Sequence, residues 1–359
     1  MTYALIGCGR VSVNHLLAAK NNSLDTVAVC DIDQSHIDAL FDAAALTPAE
    51  REKIRRYTDW RELLSAERPA LVSIALPSGL HFAAARDALD AGANVIVEKP
   101  VSLSLRDADA LVALAKEKGL VLSACHQNRF NLSVQEMRRR LENGDFGTLS
   151  NAAITVRWSR DRDYYDQADW RGTWENDGGC LMNQCIHGID LLLWMCGRVK
   201  SVYAKTRRTF HPYIEAEDLG VAVIEFENGT LATVEGTVNL PEVNLEEHLT
   251  LVGDRGVMKL GGTSANTVAF SHFVTGEESA PINEITKNVY GNGHTSLFRD
   301  VAEAIETGRA PYVTGEDGRA ALAAVLAVYL SAATGQAVTD LPEDLSTLQF
   351  TGRFPKENA

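Results

Sequence analysis

The spacing G-x-G-x-x-S at Gly7, Gly9 and Ser12 constrains this chain more than any other feature. An apolar run over residues 4–6 enters it and a helical pattern over 13–21 leaves it. It therefore reads as strand, tight turn and helix. The first glycine allows a sharp turn, and the second lets backbone N–H groups approach a pyrophosphate. Ser12 stands where glycine or alanine is usual, at a point where a small residue lets helix and strand pack closely. The helix N-terminus adds open N–H donors and a partial positive charge. A second apolar run, 27–30, ends at Asp31, about 20 residues on, where a carboxylate holds a ribose 2′-hydroxyl and repels a 2′-phosphate. A dinucleotide site is expected, with NAD favoured over NADP. Asp33 competes for the acidic role; the plain alternative for Asp31 is a strand-end or helix-capping residue.

The pattern continues as it begins. Apolar runs at 71–76, 95–97 and 121–125 alternate with helical patterns at 34–45, 60–66, 80–91 and 105–118. Continuous apolar strands between amphipathic helices predict a parallel sheet covered on both faces. Ligands of such sheets bind beyond the carboxyl ends of the strands. Those ends carry Gly7-Cys8-Gly9, Asp31, Pro77-Ser78-Gly79, Glu98-Lys99-Pro100 and His126-Gln127-Asn128-Arg129.

After residue 125 the character changes. A helix is expected over 131–143, then alternating runs at 152–158, 202–208, 219–226, 230–238 and 248–252. Asn228-Gly229 signals a type I′ hairpin, and Asp254-Arg255-Gly256 another turn. Two helical patterns, 296–307 and 317–333, precede a polar tail. The fold class expected is α/β: a dinucleotide-binding domain over 1–125, then an α+β domain over 126–335 built on a large open, mainly antiparallel sheet. A tail over 336–359 packs on its surface.

A net charge of −14 argues against nucleic acid as a partner, since phosphate binding needs a basic surface. The run Arg138-Arg139-Arg140 shares its helix with Glu136 and Glu142 and reads as a solvated face. Cys8, Cys30, Cys125, Cys180, Cys185 and Cys196 form no C-x-x-C pair, so free buried thiols in a reducing compartment are expected. The spacing of Cys180 and Cys185 argues against a metal, and none is expected. The longest apolar stretch, 320–333, is too short for a membrane span. Only Met1-Thr2-Tyr3 precede the first strand, so no leader and a cytoplasmic location are expected.

Two places suggest chemistry. Lys99 ends a parallel strand, where an ammonium can bind a substrate hydroxyl and favour the alkoxide. The alternative is a surface ion pair involving Glu98. In the stretch 178–190, read as one helix, Asn183, His187 and Asp190 share a face at i, i+4 and i+7. A histidine oriented by an amide or carboxylate suits general acid–base catalysis, although a buried structural histidine is the commoner case. Arg157, Arg160, Tyr164 and Tyr165 interleave cations and aromatics as a clamp for an anionic, ring-shaped substrate would; a loop with local ion pairs is the alternative. His126, His211, His248 and His294 have no motif around them.

Taken together, Gly7-Cys8-Gly9-Arg10, Asp31, Pro77-Ser78-Gly79-Leu80-His81, Glu98-Lys99-Pro100, Asn128-Arg129-Phe130, Trp170-Arg171-Gly172 and the helix at 178–190 resemble the glucose–fructose oxidoreductase / inositol dehydrogenase / rhizopine catabolism family. The resemblance spans almost the whole chain, in order. It implies a Rossmann domain followed by an open-sheet domain, a homodimer or homotetramer, and a sugar substrate. It assigns Lys99 and His187 to the oxidised carbinol. It assigns Gly7, Gly9, Arg10, Val11, Ser12, Asp31, Pro77, Ser78, His81, Glu98, Lys99, Asn128, Trp170 and Arg171 to the cofactor. Inositol-type members carry Asp four residues before the histidine, where this chain has Asn183. That departure resembles the nucleotide-sugar 3-dehydrogenases acting on UDP-N-acetyl-glucosamine derivatives. A polyol dehydrogenase, an NAD-dependent glycosidase and a non-catalytic NAD-binding regulator are the alternatives.

Overall fold

The computed structural model describes residues 1–276, 279, 281–286 and 289–356. In chain order the elements are β1 (Thr2–Ile6), α1 (Ser12–Asn21), β2 (Asp25–Cys30), α2 (Gln34–Ala43), α3 (Pro48–Lys53), β3 (Arg55–Tyr57), α4 (Trp60–Glu67), β4 (Leu71–Ile74), α5 (His81–Asp90), β5 (Asn94–Val97), α6 (Leu105–Lys118) and β6 (Leu122–Ala124). Next come α7 (Leu132–Glu142), β7 (Leu149–Arg157), α8 (Arg162–Tyr165), α9 (Cys180–Asn183), α10 (Ile186–Cys196), β8 (Val199–Arg207), β9 (Leu219–Phe226) and β10 (Leu231–Thr237). Last are β11 (Glu246–Gly253), β12 (Gly256–Gly261), β13 (Thr267–Phe273), α11 (His294–Thr307) and α12 (Gly315–Thr334).

The chain forms two compact units. The first comprises Met1–Ser102, Arg106–His126 and His294–Arg319. Its six strands are all parallel, in the order β3-β2-β1-β4-β5-β6. The order reverses between β1 and β4, the switch point at which such sheets bind nucleotides. Strands β4 and β5 and residues Tyr3–Ile6 of β1 are buried apart from Asn94, as strands covered on both faces must be. The edge strand β3 reads Arg-Arg-Tyr and is largely exposed, so no apolar run announces it.

One boundary differs from expectation. The helix α11 lies within the span expected to form the second domain, yet His294–Arg319 returns to the first unit. Leu297, Phe298, Val301 and Ala304 are buried there. Phe298 meets the Tyr3 and His15 rings edge-on at 5.9 and 5.5 Å. Asn21 and Asn22, at the end of α1, donate to Thr295 at 3.1 and 2.8 Å. The amphipathic face of α11 identified a buried helix but not the surface that buries it.

The second unit holds Leu103–Leu105, Gln127–Gly293 and the chain from Ala320 onward. The tail thus belongs to this unit; residues 357–359 lie outside the described residues. Its seven strands run β13-β12-β11-β7-β10-β9-β8, antiparallel except for the β7–β10 pair. The β9–β10 hairpin forms at Asn228-Gly229, but not as type I′. Gly229 N–H donates to Phe226 O at 2.9 Å, and of the two only Gly229 has positive φ, +88°. This is the three-residue loop with a terminal left-handed glycine, one residue longer than expected. One sheet face is buried by α9 and α10: a Cβ on Gly220 or Gly236 would stand 2.5 or 2.6 Å from Leu181 side-chain atoms. The other face leaves Tyr203, Val221, Val223 and Leu231 half exposed.

The six cysteines are buried and free, as expected. Among the described residues no helix is long and apolar enough to cross a membrane.

Inside the second unit, Glu247 on β11 is fully buried, and neither carboxylate oxygen has a hydrogen-bond partner among the described residues. Burial pushes its carboxyl up to about 8 from the usual 4.5. The folded chain therefore holds a proton that the unfolded chain releases above about pH 4.5. The stabilisation from this group is complete below that value and is lost as pH rises toward 8. Chemical denaturation between pH 5 and 8 is expected to show wild-type stability falling by at least about 1 kcal/mol more than in Glu247→Gln, whose amide does not titrate. Parallel pH profiles for the two proteins would rule this out.

Candidate active site

In the first unit, Gly7 ends β1 with φ +92° and its N–H bonded to Cys30 O at 2.8 Å. A Cβ here would lie 2.4 Å from Ala75 O, so any side chain would push β1 and β4 apart at the switch point. A Cβ on Gly9, by contrast, would meet nothing within 4 Å. The turn is open on the side a ligand would approach. Ser12 is buried and closes the turn, its N–H and hydroxyl donating to Gly9 O at 3.1 and 2.5 Å. Arg10 is exposed and Val11 partly so. No side chain caps α1, which leaves its N-terminal end to an anion.

Asp31 stands beside this turn. Its Oδ2 accepts the Cys8 N–H at 2.8 Å; its Oδ1 accepts the Asp33 N–H at 2.9 Å and lies 3.1 Å from His36 Nδ1. These contacts fix the carboxylate at the end of β2. Asp33 is the N-cap of α2, accepting from Ser35 N–H and hydroxyl at 2.8 and 2.7 Å. The capping role thus falls to Asp33, and the ribose role fits Asp31. An open glycine turn, an uncapped helix and an anchored acid together suit a dinucleotide.

The next strand ends complete this edge. Pro77 is partly exposed and Ser78 buried. His81 is buried, its two ring nitrogens 2.7 and 2.9 Å from the carbonyl oxygens of Pro100 and Leu76. It ties the loop after β4 to the loop after β5, and burial pulls its pKa below the usual value. The Lys99–Pro100 peptide is cis. Lys99 is partly exposed, and Glu98 beside it is buried. Burial alone would raise the Glu98 carboxyl, but hydrogen bonds from His15 and His294 hold it well below the usual range.

In the second unit the stretch at 178–190 is not one helix. α9 ends at Asn183 and α10 starts at Ile186. The Gln184 and Cys185 N–H groups both donate to Cys180 O at 2.9 Å, so the ladder slips by one residue between them. The expected i, i+4, i+7 stripe therefore breaks between Asn183 and His187. Asn183 donates its amide to Asp177. Asp190 takes Arg129 Nε and Nη2 at 2.8 and 2.6 Å in a buried bidentate pair. His187 is buried in the first turn of α10. Beneath α9 lies Glu217, fully buried and pushed up to about 8 by burial. Its Oε1 accepts Leu181 N–H at 2.8 Å and Tyr329 hydroxyl at 3.0 Å. A Cβ on Gly179 would lie 1.5 Å from Glu217 Oε2, which is the physical need behind the glycine pair.

The aromatic loop gathers around Tyr164. Its hydroxyl accepts from Arg171 Nη1 at 2.6 Å and Gln184 Nε2 at 3.1 Å. The Arg171 guanidinium also lies over Tyr164 and Trp170, and that of Arg160 over Tyr164 and Trp158. Arg157 does not join them. It gives Nε and Nη2 to Glu235 at 2.7 Å each and Nη1 to Glu246 at 2.6 Å, a cross-strand ion pair already neutralised. Tyr165 is also a packing residue, buried against Tyr164, His211 and Tyr213. Asn128 is buried, and it belongs with Trp170 and Arg171 to the second unit. Sequence reasoning passed over Asp177, Glu217 and the His15 and His294 partners of Glu98. Of these only Glu217 left a trace, in the glycine pair that makes room for it.

The model of the oxidoreductase family with an NAD-binding Rossmann fold matches residues 1–126, and that of the GFO/IDH/MocA C-terminal domain matches residues 134–259. The chain belongs to the GFO/IDH/MocA oxidoreductase family. The WlbA dehydrogenase of Bordetella pertussis, solved with NADH and UDP-GlcNAcA, is 32% identical with a TM-score of 0.83, over 95% of this chain and 99% of its own. The WlbA dehydrogenase of Chromobacterium violaceum, solved with the same two ligands, is 31% identical with a TM-score of 0.84, over 96% of each chain. Among curated relatives, the D-apiose dehydrogenase of Paraburkholderia graminis is 28% identical over 350 residues, covering 93% of this chain and 88% of its own. The D-glucoside 3-dehydrogenase of Escherichia coli is 26% identical over 360 residues, covering 93% and 96%. This family member is thus an NAD-binding oxidoreductase related to sugar dehydrogenases.

Asp31→Ala removes the carboxylate expected to bind the ribose. It is expected to weaken NAD binding about 10- to 100-fold and to narrow the preference over NADP, as read by fluorescence titration of both cofactors. Equal NAD affinity in the two proteins would take Asp31 out of the site.

Proposed function

We propose that this family member oxidises a ring hydroxyl of a nucleotide sugar of the UDP-N-acetyl-hexosaminuronate kind, at carbon 3, with NAD. The similarity to two WlbA dehydrogenases solved with NADH and UDP-GlcNAcA, over nearly the whole of each chain, carries this reading. Asn183 supports it, since an amide can orient a neighbour but cannot take a proton. The relation to a D-glucoside 3-dehydrogenase supports carbon 3. Arg160, Arg171 and Tyr164 form a half-buried cationic and aromatic group suited to a diphosphate or carboxylate.

Bound NAD supplies the acceptor for the hydride. Gly7, Gly9 and Ser12 with the open end of α1 hold the pyrophosphate, and Asp31 the ribose. Lys99 holds the reacting oxygen and favours its alkoxide form. His187 takes the hydroxyl proton as the C–H electron pair leaves the carbon, which becomes a carbonyl. Asp177 fixes Asn183 at the end of α9, and the Arg129 pair fixes Asp190 within α10, so both helices are anchored on either side of His187 in sequence. Association into homo-oligomers would use the half-exposed apolar sheet face around Val221 and Val223.

A screen of NADH formation across nucleotide sugars, free sugars and polyols is expected to give kcat/KM at least about 100-fold higher for a UDP-linked hexosaminuronate than for free sugars or inositol. A preference for inositol would refute the nucleotide-sugar reading. Lys99→Ala is expected to lose at least about 100-fold in kcat while NAD still binds; unchanged turnover would remove Lys99 from the mechanism. Light scattering is expected to show an oligomer for the wild type and a smaller species for Val223→Asp.

A further inference from the structure

Four metal-ligating side chains meet in the interior of the first unit. Glu98 and Cys125 each lie one residue past the end of a parallel strand, β5 and β6, whose last residues are paired as Val97 and Ala124. His15 comes from α1 and His294 opens α11. All four are buried, at 0–7% exposure, which sets them apart from a chance surface cluster. One ligand atom from each lies within 4.8 Å of every other. His15 Nε2 is 2.8 Å and His294 Nε2 3.9 Å from Glu98 Oε1, and the two imidazole rings are 5.6 Å apart. We propose that His15, Glu98, Cys125 and His294 form a tetrahedral site for one zinc ion.

The donor chemistry fits. Zinc takes nitrogen, sulfur and oxygen ligands at about 2.0–2.3 Å, which places tetrahedral donors about 3.3–3.8 Å apart. Contracting the widest separations by about an ångström and opening the His15–Glu98 contact by about half an ångström reaches that geometry. The charge also balances. A divalent ion, one carboxylate, one thiolate and two neutral imidazoles sum to zero, which a dry interior tolerates. Loading would release the thiol proton. The frame is already built, because the bonds from Asn21 and Asn22 to Thr295 hold α1 against α11, and Phe298 packs on His15. All four positions are filled by protein, so the site is structural. It would staple the segment beginning at His294 to the first sheet, from which it is separated by the entire antiparallel sheet in sequence.

The test uses the full chain and does not depend on its substrate. Protein loaded with zinc and passed through a desalting column is expected to retain about one zinc per chain by plasma mass spectrometry. Cobalt in its place is expected to show the absorption of a tetrahedral site and a thiolate-to-metal charge-transfer band. In Cys125→Ser the charge-transfer band should vanish and zinc affinity should fall at least about tenfold. His294→Gln, with folding checked by circular dichroism, should also lose the ion. Zinc should raise the wild-type melting temperature more than that of Cys125→Ser at the same zinc concentration. Less than about 0.1 zinc per folded wild-type chain would overturn the proposal. So would zinc content and a cobalt spectrum that survive both substitutions.

Discussion

The close passage of Gly7 under the Ala75 carbonyl holds the nucleotide edge together. With no Cβ between them, β1 and β4 stay paired to their last residues while the chain turns through a left-handed conformation into α1. The reversal of strand order at this point opens a crevice, and the glycine keeps backbone rather than side chain at its floor. Asp31 depends on the same geometry, because its anchor is the N–H of Cys8, the residue after that glycine. His81 closes the far side by lying between the Leu76 and Pro100 carbonyls.

The two units handle buried acid groups in different ways. In the first, Glu98 remains ionised because imidazoles surround it. In the second, Glu217 and Glu247 are pushed up to about 8 by burial. Glu217 uses its place to order the chain before α10, through Leu181 N–H and Tyr329 hydroxyl. Asp190 stays paired instead, with the Arg129 guanidinium matched to it in two bonds. A carboxyl in a dry interior needs a cation, donors or a proton, and this chain uses all three.

The break between α9 and α10 changes the partner of Asn183. A continuous helix would put Asn183 directly below His187. The slip at Gln184–Cys185 instead sends Asn183 toward Asp177 and starts α10 afresh, with His187 in its first turn. Asn183 is therefore held by a separate acid.

Much of the plan was written in local pattern. The glycine spacing, the apolar strands and the acid after β2 determined a parallel nucleotide-binding sheet, because each rests on short-range sterics and periodicity. The alternating runs after residue 148 likewise announced an antiparallel sheet. A strand-end position nominated Lys99, and a helical stripe that the structure breaks nominated His187, for the roles proposed above. What only tertiary structure decided were contacts between residues far apart in sequence. Arg157 looked like a substrate clamp until Glu235 and Glu246 arrived from other strands to neutralise it. His294 had no motif because its partners, Glu98 and His15, lie far back in the chain. The α11 helix showed its apolar face but not which unit would cover it. Periodicity reports that a face is buried; the partner is chosen by packing, over distances that no local pattern encodes.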